Sequence, residues 1–345
     1  TIFTEQYPYY SSFSDAVVAH WHRHADTLIA IRDLGPGSMV VEVGSNDGYL
    51  LKRFQDRGVS VLGIDPSPGP AAAAQAIGVP TVVKFFGREI ARDLRAEGIR
   101  PDVVIANNVM AHVPELNDFV AGLATLVDDA GIVAVENPNV VDLVVNRAFD
   151  TIYHEHCCYF STIAVKSLFE RHGLHLSRVE SFPDYHGGTL RWTASRNARA
   201  DESVAARLAY ERRLGADQPE FYASFAREVF AIQNQLACLL VDLRLRGKRV
   251  AAYGAAAKGV TLLSSAHITN QLLSYVCDRN THKQGKLLPG IRIPIVDPSR
   301  LLTDRPDFVL ILAWNVADEV MAQLSDYRSL GGRFILPLPR PHVAA

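Results

Sequence analysis

The chain has 345 residues, 48% of them hydrophobic and 21% charged, with a formal net charge of -2. That length suits about two domains and a large buried core. The balanced charge offers no basic face for nucleic acid or an anionic membrane surface, and no apolar run approaches the ~20 residues of a membrane span. No basic-then-apolar leader opens the sequence, and Thr1 stands first rather than methionine. The four cysteines, Cys157, Cys158, Cys238 and Cys277, form no C-x-x-C pair. They read as reduced thiols of a cytoplasmic protein, with no thiolate framework for zinc and no metal expected. A monomer or weakly associated dimer is expected.

Along the chain, an aromatic segment, Tyr7–Phe13, precedes a helix starting near Ser14 and Asp15. It reads as a lid or as the anchor of a terminal arm. Short apolar runs follow at Met39–Val43, Val59–Ile64, Val79–Lys84, Asp102–Ala106 and Gly131–Glu136, with helical patterns such as Tyr49–Arg57 and Glu115–Val127 between them. Such alternation predicts a parallel sheet covered by helices on both faces. Leu176–Ser181 and Thr189–Ser195 have no helix between them, and Gly187-Gly188 predicts a tight turn and antiparallel pairing. Glu202–Leu214 and Phe221–Leu245 read as helices of a connector. Strand–helix alternation then resumes with Lys248–Tyr253, Leu273–Cys277, Phe308–Leu312 and Arg333–Leu336.

The first strand ends in Glu42-Val43-Gly44-Ser45-Asn46-Asp47-Gly48, and the second ends at Asp65. Glycine lets a ligand approach the backbone, and a carboxylate about 20 residues on can accept ribose hydroxyls. A pyrophosphate site expects G-x-G-x-x-G. Here Glu42 and Asp47 would repel a pyrophosphate but suit a sulfonium and an ammonium, which favours S-adenosylmethionine over NAD. Asn107 and Asn108 end the fourth strand, where polar groups would meet cofactor or substrate. His112 follows and reads either as a site residue or as a core histidine.

The densest titratable cluster, Tyr153-His154-Glu155-His156, comes just after the fifth strand. A histidine poised by a carboxylate is a general base, and tyrosine or histidine donors can stabilise an enolate. That suits deprotonation of a carbon beside a ketone. H-E-H lacks the H-E-x-x-H spacing of a zinc site, and nothing marks Cys157 or Cys158 as an activated thiolate. Further on, Gly254-Ala255-Ala256-Ala257-Lys258-Gly259 lacks the middle glycine of a dinucleotide fingerprint. It reads as a packing turn or, through Lys258 and a helix N-terminus, as an anion site.

These motifs, with His186-Gly187-Gly188-Thr189-Leu190-Arg191, Asp278-Arg279-Asn280 and Ala313-Trp314-Asn315, resemble sugar C-methyltransferases acting on nucleotide-diphospho-4-keto-deoxysugars in antibiotic biosynthesis. The resemblance covers nearly the whole chain. It implies an α/β fold: a doubly wound class I S-adenosylmethionine methyltransferase domain over 1–200, a helical connector over 201–246 and a smaller Rossmann-like domain over 247–345. It implies methylation at C3 of a dTDP-linked 4-keto sugar lying between the two domains, with His156 removing the C3 proton. Tyr153, Glu155, His112 and Tyr7 would orient the sugar or stabilise the enolate, and Asn108, His154, His186 and Lys258 would contact substrate. The family's cysteine-rich zinc-binding region has no counterpart in these 345 residues, and no residue carried over lies in it. Two other classes keep part of the pattern: methyl transfer to oxygen or nitrogen, and NAD-dependent oxidoreduction, which the incomplete fingerprints at Gly44 and Gly254 disfavour.

Overall fold

The computed structural model describes residues 10–13, 15–183 and 187–344. The chain divides into two compact units. The first comprises 1–139, 155–182 and 189–214; the second takes 140–154, 183–188 and 215–345. The expected helical connector is therefore shared out. Its helix Glu202–Arg213 belongs to the first unit and Pro219–Leu245 to the second.

In the first unit, strands β1 (Met39–Val43), β2 (Ser60–Ile64), β3 (Thr81–Val82), β4 (Val103–Asn107), β5 (Ile132–Pro138), β6 (His175–Phe182) and β7 (Thr189–Ser195) form one sheet. Its order is β3-β2-β1-β4-β5-β7-β6. β1 to β5 run parallel, while β7 is antiparallel to both neighbours. This is the six-stranded dinucleotide order with one antiparallel strand inserted beside β5. β4 is buried along its whole length. Parallel strands covered on both faces read as continuous apolar runs for that reason. Val41, Val104 and Val135 pack with Phe119, Phe169 and Trp192 in the core of this unit. β3 is shorter than its apolar run predicts. Pro80 has no N–H to give, and only Thr81 and Val82 pair with β2, at the sheet edge.

In the second unit, β8 (Val250–Tyr253), β9 (Val276–Cys277), β10 (Ile295–Val296), β11 (Phe308–Ile311), β12 (Arg333–Leu336) and β13 (His342–Val343) form a sheet of order β10-β9-β8-β11-β12-β13. All pairs are parallel except β12 with β13. Ile232, Leu236, Leu240 and Leu243, spaced three or four residues apart on Pro219–Leu245, are buried in the core of this unit with Leu262 and Leu310. Among the described residues, no helix is long and apolar enough to cross a membrane.

Candidate active site

The carboxyl ends of β1, β2 and β4 converge on the glycine loop. Gly44 and Gly48 both take positive φ (72° and 78°), and a Cβ at Gly44 would sit 3.0 Å from the side chain of Val109. A side chain there would be strained and crowded at once. Gly63 on β2 is crowded too, since a Cβ would lie 2.4 Å from Ser45 Oγ and 2.9 Å from Thr81 Oγ1. The Asp65 carboxylate ties the loop down, accepting the Asn46 N–H on Oδ2 and the Ser67 N–H on Oδ1, both at 2.8 Å. Burial raises the Asp65 carboxyl above its ordinary value, and those N–H groups oppose the shift.

Inside this cradle lie buried polar atoms with no well-formed hydrogen bond in the protein: both Glu42 carboxylate oxygens, which only the Asn107 side chain approaches, Ser45 Oγ, Asp47 Oδ1, the Asn107 amide and Asn108 Oδ1. Glu42 is fully buried. Burial, then the charges of Asp65 and Asp47, push its carboxyl well above the usual range, with Asn107 pulling the other way. Buried polar groups are normally paired, so a cluster of exceptions calls for a polar partner. An unsatisfied carboxyl beside two more acids suits a cation best. These residues therefore fit S-adenosylmethionine, whose sulfonium and ammonium are positive.

The described end of the aromatic N-terminal segment folds onto the same loop. The Ser11 N–H donates to Asn46 Oδ1 at 2.9 Å and the Ser12 N–H to Asp47 Oδ2 at 3.2 Å. Asn46 and Asp47 thus each spend one acceptor on holding this segment. Tyr7 and His186 lie outside the described residues.

The second group is built on the turn Met110–His112. Asn137 Oδ1 at the end of β5 accepts the Ala111 N–H at 3.3 Å. The Ala111 carbonyl in turn accepts from the N–H groups of Cys157 and Cys158 at 2.8 and 3.2 Å. This seats half-buried His156 with its ring centroid 4.9 Å from that of His112 and 5.7 Å from that of Tyr159. Burial lowers the His112 pKa, while Glu155 pulls it up. That pull includes a hydrogen bond from the ring to the Glu155 backbone, which ties His112 to the segment carrying His156. Burial, then Cys157, raise the Cys158 thiol, which disfavours the thiolate a nucleophile needs. Downstream, Ser161 caps the helix Thr162–Glu170, and the buried Glu211 carboxylate accepts the Thr162 and Ile163 N–H groups at 2.9 and 3.0 Å. A negative charge at a helix N-terminus is favourable. Glu202–Arg213 thus serves the site segment as more than a connector.

Tyr153 and His154 belong to the second unit, and the division between units falls directly after His154. Within that unit Lys258 Nζ donates to Asn315 Oδ1 at 2.6 Å and lies 5.2 Å from the Trp314 ring centroid. Trp314 Nε1 donates to Asp150 Oδ2 at 2.7 Å. Burial pushes the Asp150 carboxyl up to about 6, against the pull of Lys258. Burial lowers Lys258, against the pull of Asp150. Among the described residues, no group of three or more His, Cys, Asp or Glu is placed to hold a metal ion.

Known proteins match the chain in two parts and as a whole. Residues 20–179 match the family model of a methyltransferase domain, and 184–339 that of a C-methyltransferase C-terminal domain. The C-methyltransferase NovU of Streptomyces niveus is 35% identical over 340 residues, covering 98% of this chain and 81% of that protein. The chain belongs to this C-methyltransferase family. It is an S-adenosylmethionine-dependent methyltransferase of the class I fold. The ubiquinone biosynthesis O-methyltransferase of Azorhizobium caulinodans is 29% identical over 126 residues, 36% of this chain and 48% of that protein. The magnesium protoporphyrin IX methyltransferase of Synechocystis PCC 6803 superimposes with a TM-score of 0.43 and 18% identity over 52% of this chain and 83% of that one.

One feature of this C-methyltransferase escaped the sequence reading. At the ends of β5 and β7, Glu136 bonds to Arg191 at 2.7 Å and to His20 Nε2 at 2.9 Å. Arg191 lies 4.6 Å from the Phe182 ring centroid and 5.6 Å from that of Trp21. His24, one turn on from His20, is buried, and burial first, then Arg191 and His20, hold its pKa well down. The signal was present: a glutamate and an arginine in otherwise apolar strands need a buried partner. The Glu136 carbonyl also accepts the Asn108 N–H at 2.7 Å, holding Asn108 at a positive φ of 52°.

Proposed function

We propose that this C-methyltransferase deprotonates the carbon next to a ketone, C3 of a dTDP-linked 4-keto-deoxysugar, and methylates it. The observation that carries the reading is His156: half-buried, seated against His112 and Tyr159, on a loop hydrogen-bonded to the turn that follows β4. His156 takes the C3 proton, and the C–H electron pair moves into the enolate whose oxygen is O4. His112 orients the sugar and the Tyr153 hydroxyl donates toward that oxygen; Glu155 stabilises the imidazolium formed at His156. Bound S-adenosylmethionine would supply the sulfonium methyl: the enolate carbon C3 takes it up, the S–CH3 electron pair stays on sulfur, and S-adenosylhomocysteine leaves. Asp65 receives its ribose, Glu42 and Asp47 its positive end, and Ser45, Asn46 and Asn107 its remaining polar edge. Tyr7, Asn108, His154 and His186 orient the sugar, and Lys258 meets the diphosphate. The reaction is that of a cytoplasmic biosynthetic enzyme.

Incubation with the 4-keto sugar nucleotide and S-adenosylhomocysteine in deuterated water tests this. Deuterium should enter C3 with the wild type and not with His156→Ala. Equal exchange in both proteins would remove His156 as the base.

A further inference from the structure

We infer that Glu136, Arg191 and His20 are positioning residues for methyl transfer: together they hold Asn107 and Asn108, where β4 leaves the sheet, in the arrangement that meets the cofactor. All five residues belong to the first unit, and none of this depends on which acceptor takes the methyl.

The strand registers set these residues in one row. Asn107 on β4 pairs with Glu136 on β5, Glu136 with Arg191 on β7, and Arg191 with Glu180 on β6. Residues directly opposite one another across a sheet send their side chains to the same face. The row therefore runs from the cofactor cradle, where Asn107 lies beside Glu42, to the far edge of the sheet. His20 closes over its middle from the helix Asp15–Arg32, with Nε2 2.9 Å from Glu136 Oε1. The His20 ring meets those of Trp21 and Phe182 edge-on, with centroids 4.6 and 4.8 Å away.

Stability alone gives such a row no reason to exist. A buried ion pair loses in desolvation much of what it gains in attraction, and well-packed apolar side chains in its place are often neutral or stabilising. What the polar row supplies, and an apolar one would not, is direction. A carboxylate held between an imidazole and a guanidinium fork has one preferred orientation.

The Glu136 backbone passes that orientation on. Its carbonyl accepts the Asn108 N–H at 2.7 Å. Asn108 stands at a φ of 52°, a left-handed conformation that disfavours residues with a side chain and that asparagine tolerates best. Such a conformation persists where its surroundings over-determine it. Val109 follows, and its side chain is what a Cβ on Gly44 would meet at 3.0 Å, so the exit of β4 packs directly on the cofactor loop. The next residue of β5 holds the other end of the same turn: Asn137 Oδ1 accepts the Ala111 N–H, and the Ala111 carbonyl carries Cys157 and Cys158. The end of β5 thus fixes the turn between the cofactor loop and the segment of His156. At a reacting centre a displacement of about 1 Å costs on the order of 100-fold in rate.

Two variants of the full chain separate positioning from stability. Glu136→Met/Arg191→Met removes both charges and keeps apolar packing. Glu136→Gln keeps a hydrogen-bonding group in the row but leaves Arg191 with only Glu180 as a counter-charge. Urea unfolding should rank the double variant as the more stable of the two. Calorimetry with S-adenosylhomocysteine should rank them the other way, at least fivefold weaker than wild type for the double variant and within twofold for Glu136→Gln. Amide exchange over 107–112, read by mass spectrometry, should quicken in the double variant alone. With a dTDP-4-keto-deoxysugar as acceptor, kcat should fall at least tenfold in the double variant. If affinity follows stability, recovering with it in the double variant or lost with it in Glu136→Gln, the row is structural only and the inference is overturned. Should the double variant not fold, His20→Phe leaves the Glu136–Arg191 pair intact and carries the same expected fivefold loss; wild-type affinity there overturns the inference as well. The S-adenosylhomocysteine and amide-exchange measurements need no acceptor, so failure of the sugar reading, seen as no turnover by the wild type, is told apart from failure of the positioning role.

Discussion

Glu136 and Arg191 form an ion pair of 2.7 Å with 0% and 5% of their side chains exposed. Without Arg191 the Glu136 carboxylate keeps only His20, whereas Arg191 also has Glu180 at 3.7 Å. Arg191→Met should cost about 3–5 kcal/mol, because it leaves a buried carboxylate with only His20 beside it. The double variant Glu136→Met/Arg191→Met should recover most of that loss, since a well-packed apolar pair can replace a buried ion pair. Urea unfolding of the three proteins measures it; equal losses in single and double variants would mean the pair is not coupled.

Glu42 predicts a pH dependence. Its folded pKa lies above the unfolded value, so its contribution to stability is present below the unfolded pKa, about 4.3, and is lost as pH rises through the folded pKa. Glu42→Gln should therefore gain stability over the wild type as pH rises from 4. The same variant should lose cofactor affinity. Binding of a cation favours ionised Glu42, so wild-type S-adenosylmethionine affinity should rise with pH, and the variant's should be flatter. Calorimetry at pH 5 to 9 checks both slopes.

Asp150 gives the same sign in the second unit. Its carboxyl is raised to about 6, so stability it contributes below about pH 4 is lost as pH passes 6. Asp150→Asn keeps an oxygen for the Trp314 indole. It should be more stable than the wild type at pH 8 by up to about 3 kcal/mol, the equivalent of a two-unit shift, with little difference at pH 4. Denaturant midpoints at the two pH values decide it.

Much of this was legible in the sequence because the cues were local. Met39–Val43 matches its strand residue for residue, and Gly187-Gly188 marked the antiparallel pair. The glycine loop and Asp65 were readable because backbone conformation demands those residue types. What escaped depends on partners distant in sequence. His20, Glu136 and Arg191 come from three separate elements. Glu211 caps a helix some fifty residues before it. The division after His154 could not be read from a motif that looks continuous. Lys258 is legible in the sequence as a cation, whereas its contacts with Asn315 and Trp314 and its coupling to Asp150 emerge only from the folded second unit.

The helix cap at Glu211 gives a smaller, separable effect. Glu211→Gln removes the charge from two buried N–H contacts and from Arg207, 3.0 Å away. It should cost about 1–2 kcal/mol, the range for a lost cap or charged hydrogen bond. Methyl transfer should survive at temperatures below unfolding; a complete loss of activity with stability intact would give Glu211 a direct part in the chemistry.

In the proposed reaction the methyl goes to a carbon made acidic by a neighbouring ketone, with His156 as base. The most direct measurement uses methyl-labelled ¹³C-S-adenosylmethionine and a dTDP-4-keto-deoxysugar, followed by carbon NMR of the product. The label should be bonded to C3, in product formed by the wild type and not by His156→Ala. A label on oxygen or nitrogen, or full C3 methylation by His156→Ala, would contradict it.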